Sequence, residues 1–313
     1  MINMDNKRYL ITGGTGFIGS HLANKLADLG KDVYVISHSK NNLWRIDNKD
    51  KINIKFADLK DLNRLRKVIS EIKPDIIFHL AAYVNASRDF NGIDKALDTN
   101  FNGTLNLLKA LNEIEYDLFV NTGTCEEYGT GKSPFNENQK EHPVSPYSLS
   151  KTCTTYLCEL FSKIYDNPIM TVRPFLTYGP KQTSKMLIPE LINNGLNKTE
   201  MKLTPGEQTR DFIFVDDLIE GYLTILNNYK KFNEYKIYNI GTGKQILIKD
   251  VVNIVSDFIP ENDFKLGARS YRKGETMEFY SDNTSLKELG WQSKISIEKG
   301  LEMTINWWKN YLK

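Results

Sequence analysis

Residues 12–19 read TGGTGFIG, with Gly13, Gly16 and Gly19 three apart. Before them, Arg8-Tyr9-Leu10-Ile11-Thr12 is short, apolar and β-prone; after them, Ile18, Leu22, Leu26 and Leu29 recur at helical spacing ahead of Gly30. The pattern predicts strand, turn and helix. In such a turn Gly13 supplies the backbone angles, Gly16 lets a diphosphate approach the main chain, and Gly19 lets the helix pack closely on its strand. The helix N-terminus then offers unpaired N–H groups and a partial positive charge to the phosphates. A tight strand-to-helix turn that binds nothing satisfies the same spacing, so the triplet alone leaves the ligand open.

Further along, DVYVIS (32–37) and INIKFAD (52–58) read as the second and third strands, and Leu62, Leu65, Ile69 and Ile72 mark a helix after Asp61. DIIFHLAA (75–82) is nearly all apolar, as a strand buried on both faces of a parallel sheet must be. A helix carrying Leu97, Phe101, Leu105, Leu108 and Leu111 follows, then the strand LFVNTG (118–123), a helix over 145–165 and the strand IMTVRP (169–174). Strands alternating with helices predict an α/β fold with a doubly wound parallel sheet, and the glycine turn sits where such sheets bind dinucleotides. From about Tyr178 the elements shorten, with a Pro-Gly turn at 205–206 and β-prone DFIFVD and KIYNIG. We expect a dinucleotide-binding domain over 1–175, with a return around 207–240, and a smaller mixed α/β substrate lobe over 176–313, a second ligand lying in the cleft between them.

The 313 residues are 40% hydrophobic and 26% charged with a net charge of +2, an ordinary globular composition with no basic run for nucleic acid or an anionic membrane. No apolar stretch reaches membrane-spanning length and MINMDNKRYL is too polar for a signal peptide, so a cytoplasmic protein is expected. Cys125, Cys153 and Cys158, with histidines at 21, 38, 79 and 142, show no metal-ligand spacing, and no metal or structural disulfide is expected.

SPYSLSK (145–151) places Tyr147 and Lys151 four apart, on one helix face. A phenol of pKa about 10 shuttles protons poorly at neutral pH, and a neighbouring ammonium stabilises its phenolate and brings that value down. A packed tyrosine with an exposed lysine fits the same spacing. LFVNTG runs into TGTCEEYG (122–129), which sets the Thr124 hydroxyl at a strand end beside that helix, where it can hold a substrate oxygen.

TGGTGFIG, His79-Leu80-Ala81-Ala82, Asn100, Thr124 and Tyr147-x-x-x-Lys151, in this order, resemble the extended short-chain dehydrogenase/reductases of nucleotide-sugar metabolism, over essentially the whole chain. The resemblance implies a Rossmann fold in which Thr124, Tyr147 and Lys151 are catalytic. It implies cofactor contacts from Gly13, Gly16, Phe17, Ile18, Gly19, Ser37, His38, Ser39, Arg45, Asp58, Leu59, Leu80, Ala81, Ala82, Asn100, Thr122 and Pro174, with Tyr147 and Lys151 also facing the nicotinamide. GEQTRDFIFVDD (206–217) and YRKGE (271–275) resemble the family's nucleotide-diphosphate site, which makes Arg210 and Arg272 phosphate ligands, a role that suits planar guanidinium groups; ordinary surface ion pairs are the other account of them. Cys125, Glu126 and Lys185 join Thr124 as substrate contacts. In RPFLTYGP (173–180) Leu176 stands where the family commonly has asparagine.

At the end of the second strand, VISHSKNNLWR (35–45) offers Ser37 in place of an acid, followed by His38, Lys40 and Arg45, which favours NADP; NAD is the alternative. Cys125 replaces the acid that serves the family's 4,6-dehydratases, while Glu126 retains the neighbouring glutamate. GEQTRDFIFVDDLIEGYLTIL (206–226) and SDNTSLKELGW (281–291) resemble the CDP-abequose and CDP-paratose synthase group. The expectation is NAD(P)H-dependent reduction of the C4 ketone of a nucleotide-activated 4-keto-6-deoxyhexose, for surface-polysaccharide synthesis, by a homodimer. A 4-epimerase with tightly bound NAD is the alternative; a 4,6-dehydratase or a non-catalytic cofactor sensor stands behind it.

Overall fold

Ile76–His79 contains no exposed residue and is hydrogen-bonded in parallel on both sides, the environment its apolar sequence calls for. The computed structural model describes residues 6–40, 43–85, 87–232, 234–272 and 274–312. Residues 1–5, Asn41, Asn42 and Lys273, which belong to three of the stretches quoted above, lie outside them. The chain divides into two units, one of residues 1–131, 139–173 and 223–238, the other of residues 132–138, 174–222 and 239–313.

The chain begins β1 (Arg8–Thr12), α1 (Phe17–Asp28), β2 (Asp32–Ser37), β3 (Ile52–Phe56), α2 (Leu62–Ile72), β4 (Ile76–His79) and α3 (Ile93–Ala96). A π-helical segment, Leu97–Asn102, leads into α4 (Gly103–Leu111), β5 (Leu118–Thr122), α5 (Pro146–Tyr165) and β6 (Ile169–Pro174). Next come β7 (Leu176–Tyr178), α6 (Leu187–Leu196), β8 (Met201–Lys202), β9 (Thr209–Arg210), β10 (Phe212–Phe214) and α7 (Val215–Asn228). The chain ends with β11 (Lys236–Ile240), β12 (Ile246–Leu247), α8 (Ile248–Phe258), β13 (Phe264–Lys265), α9 (Thr284–Glu288) and α10 (Ile297–Tyr311).

Seven strands form one sheet in the order β11-β6-β5-β4-β1-β2-β3. The neighbours from β6 to β3 pair in parallel, with Thr12 level with Ile36 and His79, and His79 level with Asn121. The strand order reverses between β1 and β4, so the carboxyl ends of these two strands flank the switch point where doubly wound sheets place ligands. On one face, Leu65, Val68, Ile69 and Ile72 of α2 and Leu107, Leu108 and Leu111 of α4 pack on Leu10, Ile77 and Phe119 of the strands. Each fully buried side chain of this kind contributes about 1.5–3 kcal/mol.

Three local expectations are corrected. The fourth strand ends at His79, and Leu80 N–H makes the last ladder bond, to Thr12 carbonyl, before the chain leaves the sheet. The single helix expected over Leu97–Leu111 is interrupted by the π-helical segment, whose Asn100 carbonyl accepts the Thr104 hydroxyl at 2.6 Å. Leu29 follows the end of α1 and is 52% exposed instead of joining the buried face.

In the other unit, β7 pairs with β10, β8 with β13 and β9 with β12, and α6, α8 and α10 pack together through buried Leu191, Ile192, Val251, Val255, Leu301 and Ile305. Asp211 is fully buried and its carboxylate accepts N–H bonds from Thr242, Gly243 and Ser281 and the hydroxyls of Thr242 and Ser281, which fixes the loop after β11. Among the described residues no helix is long and apolar enough to cross a membrane.

Candidate active site

At the carboxyl end of β1 the main chain passes so close to its neighbours that side chains are excluded. A Cβ on Gly13, whose φ is +70°, would lie 2.6 Å from Ala81 N; one on Gly19 would lie 2.3 Å from Gly13 O. Helix α1 starts behind Gly16 with no side-chain cap and no acidic residue in its first turn. An anion can therefore meet the amides of Phe17, Ile18 and Gly19 without a competing carboxylate, and the loop fits the diphosphate of a dinucleotide.

The other residues expected to hold a cofactor fall at strand ends and in the loops that follow them. Ser37 ends β2, buried, with its hydroxyl donated to Ser39 carbonyl; His38 is exposed, and Arg45 in the following loop stacks on Trp44. Asp58 caps a turn by accepting Lys60 N–H, and Leu59 packs beneath it. Leu80, Ala81 and Ala82 continue from β4, and Thr122 closes β5. Pro174 closes β6.

Asn100 does something more specific than its expected cofactor contact. It is buried, it donates one amide hydrogen to Ser150 Oγ at 2.8 Å and the other to Tyr83 carbonyl, and its Oδ1 accepts Tyr83 N–H at 2.7 Å. Ser150 donates in turn to Tyr147 carbonyl. The side chain braces the backbone around Tyr83 and α5.

Thr124 is buried at the head of a 3-10 turn, Cys125–Tyr128, and its hydroxyl accepts Glu126 N–H. It also acts on the phenol of Tyr147 in α5, a helix capped reciprocally by Ser145 and Ser148 with Pro146 in its first turn. Lys151, one turn on, is 3% exposed. Burial holds Tyr147 above the ordinary phenol value, reinforced by the charge of Glu126 and opposed by the Thr124 hydroxyl. This corrects the expectation that Lys151 brings Tyr147 down: desolvation of the phenolate outweighs any help from the cation, so the phenol is neutral and a proton donor. Lys151 is itself lowered by burial, with the negative charge of Glu127 opposing.

Two buried groups have hydrogen-bond roles that the sequence pattern did not show. Glu127 is fully buried: Oε1 accepts Thr124 N–H at 2.8 Å, while Oε2 accepts the Thr155 hydroxyl at 3.0 Å and Arg173 Nε at 3.0 Å. Arg173, equally buried, also pairs with Glu141 and lies over the Tyr128 ring. Burial disfavours the Arg173 charge, but Glu127 together with Tyr128 and Glu141 more than restores it. The carboxylate thus fixes the backbone of Thr124, and a Cβ on Gly123 would collide with it at 2.4 Å. An acid next to a strand end signals little by itself; its arginine lies 46 residues away.

His79 is the second group. Its Nε2 is 2.8 Å from Thr104 Oγ1, whose own hydrogen goes to Asn100 carbonyl, so Nε2 carries the proton. Nδ1 then accepts the Thr12 hydroxyl at 2.6 Å, and Thr12 Oγ1 accepts Ala81 N–H. Burial, with the Lys151 cation acting the same way, holds this neutral imidazole down to about 3.

Cys125 is buried and Glu126 half-buried beside Thr124. In the other unit, Arg210 and Arg272 both pair with Glu275, and Lys185 is exposed in the loop between β7 and α6. Leu176, in the position where the family commonly has asparagine, lies in β7 opposite Phe212. Among the described residues no cluster of three or more His, Cys, Asp or Glu has the arrangement of a metal site.

Residues 9–241 match the NAD dependent epimerase/dehydratase family. The chain is 31% identical over 314 residues to a putative UDP-glucose 4-epimerase of Methanocaldococcus jannaschii, covering 96% of this chain and 98% of that one. It is 31% identical over 306 residues to the CDP-abequose synthase of Salmonella typhimurium, covering 95% and 97%. A dTDP-glucose 4,6-dehydratase from Streptomyces venezuelae, solved with NAD bound, superposes with a TM-score of 0.86 at 26% identity, covering 97% of each chain.

The buried groups set two expectations. His79 is neutral in the fold and takes up a proton near pH 6.5 when unfolded, so its contribution is intact above that pH and is lost as pH falls toward 3. Urea unfolding should lose up to about 1.4 kcal/mol per pH unit below 6.5 from this group, and His79→Gln should flatten that slope. Glu127→Ala, which strands the Arg173 charge on Glu141 alone, should lower the unfolding free energy by about 3 kcal/mol in the same assay at pH 7.

Proposed function

The chain belongs to the NAD dependent epimerase/dehydratase family, and from that premise we propose that it reduces the C4 ketone of a nucleotide-activated 4-keto-6-deoxyhexose with NADPH, yielding a deoxysugar nucleotide for surface polysaccharide. The observation that carries this reading is the end of β2, where the buried Ser37 hydroxyl stands in place of the carboxylate that grips the 2′-hydroxyl of NAD. Lys40 and Arg45 in the next loop supply positive charge for a 2′-phosphate. A cofactor of that type suits net reduction, and the similarity to a CDP-abequose synthase supports the same class.

When bound, NADPH supplies the hydride. Tyr147, kept neutral by burial, donates the proton to the oxygen that gains charge, and the Thr124 hydroxyl stabilises the same oxygen. Because that charge grows only in the transition state, donors aimed at it lower the barrier. Lys151 provides a fixed cation for the cofactor ribose and the tyrosine. The glycine loop and the start of α1 hold the cofactor diphosphate, and Arg210 and Arg272 take that of the sugar nucleotide.

The similarity to a UDP-glucose 4-epimerase supports a second reading, epimerisation on tightly held NAD. Glu126 supports dehydration more weakly, since Cys125 is a poor substitute for the acid that reaction uses. A panel of CDP-, dTDP-, GDP- and UDP-linked 4-keto-6-deoxy sugars, followed by NADPH absorbance, separates them. Stoichiometric NADPH oxidation with one class of donor is expected; interconversion of 4-hydroxy sugars without net cofactor use favours the epimerase. A sensor would bind NADPH and oxidise none. Tyr147→Phe should retain cofactor affinity and lose roughly 100-fold or more in turnover.

We also infer a homodimer formed through α5, where Leu149, Tyr156, Leu160 and Ile164 make an exposed stripe, while Leu157 faces the core. Light scattering should give a dimer, and Leu160→Glu with Ile164→Glu a monomer.

A further inference from the structure

Two arginines of the second unit share one carboxylate. Arg210 Nη1 donates to the carbonyls of Thr209 at 2.7 Å and Thr276 at 2.9 Å, which locks the guanidinium and leaves Nη2 to meet Glu275 Oε1. Arg272 Nε donates to Glu275 Oε2 at 2.7 Å. The Arg210 and Glu275 side chains are 12% and 10% exposed, whereas that of Arg272 is 57% exposed. Each carboxylate oxygen therefore faces a different guanidinium, the arrangement in which a bridging phosphate oxyanion would be held.

The local chain makes the carboxylate movable. Gly274, with φ at +72°, precedes it, and Glu275 N–H closes a turn on Arg272 carbonyl at 3.2 Å. Among the described residues from 270 to 275 there is no helix or strand, and the main-chain bonds to Thr209 and Asp211 begin at Met277, so the side chain can leave without breaking them. Arg210 would stay aimed, because its other nitrogen is held by two main-chain carbonyls.

We propose that Glu275 is the resident anion of the Arg210–Arg272 pair, and that a ligand diphosphate binds there by displacing it, so that Glu275 sets the affinity and admits only ligands with enough negative charge to compete. The inference rests on the anion-binding role given to the two arginines above. Displacement exchanges one set of charge-assisted bonds for another, so the gain on binding is the difference between two ion pairs. Removing the resident charge while preserving its shape makes that difference larger.

Isothermal titration of the full chain with sodium pyrophosphate, at constant ionic strength and without divalent metal, tests this. E275Q should bind pyrophosphate about tenfold more tightly than the native protein, a change of about 1.4 kcal/mol, and R210M should lose binding. E275D, which keeps the charge, should show no gain, and thermal unfolding of each variant confirms that it folds. Pyrophosphate binding that R210M abolishes but E275Q leaves equal or weaker overturns the displacement role of Glu275 and leaves the arginine site standing. Binding undiminished in R210M, or absent from both the native protein and E275Q, overturns the arginine site and the displacement role with it.

Discussion

Main chain meets main chain at the end of β1, and the architecture of the first unit follows from that contact. Gly13 lies against the backbone of Leu80 and Ala81, and Gly19 against Gly13, at separations that admit no Cβ. Bringing polar backbone this close inside a parallel sheet creates groups that water cannot reach and that need partners. Thr12 supplies one partner, accepting Ala81 N–H while donating to His79. His79 passes the chain to Thr104, Thr104 to the carbonyl of Asn100, and the Asn100 amide to Ser150 in α5. A buried hydrogen-bond chain thus runs from the glycine loop to the helix that carries Tyr147 and Lys151, so the geometry of the loop and that of this helix are set together.

That chain has to be neutral, because charge close by is already committed. Lys151 is buried with its ammonium, and Arg173 is buried with Glu127 and Glu141. Burial is the main reason the imidazole resists protonation, and the nearby Lys151 cation adds to it. Glu127 serves both neighbours: it pairs with Arg173 and its field opposes the loss of charge on Lys151. Its remaining oxygen fixes the amide of Thr124. One carboxylate therefore links the packing of β6 to the backbone of Thr124.

The periodic features of this arrangement were legible in the sequence. Apolar runs gave β1, β2, β5 and β6 within a residue or so, because strands buried on both faces have no alternative composition. The glycine triplet and Tyr147-x-x-x-Lys151 were legible because their chemistry depends on fixed local spacing. The π-helical segment was not, since it leaves the leucine spacing intact. Nor was Glu127, whose meaning comes from a partner on a strand formed much later in the chain. The rise in Tyr147 was misjudged for a related reason: helical spacing brings Lys151 near, but only the three-dimensional packing reveals how much solvent the phenol has lost.

The chain presents positive potential to anions in two physically different forms. At the start of α1 it comes from backbone amides and the helix dipole, which no residue of the first turn opposes. Such a seat needs no counter-charge in the protein, because partial charges on amides are stable when solvated. Around Arg210 the potential comes from full charges, one of them largely removed from water, and a half-buried guanidinium without a counter-ion carries a heavy desolvation penalty. Glu275 removes that penalty. A side-chain seat consequently carries its own anion, whereas a backbone seat does not, and the displacement proposed for Glu275 follows from that difference.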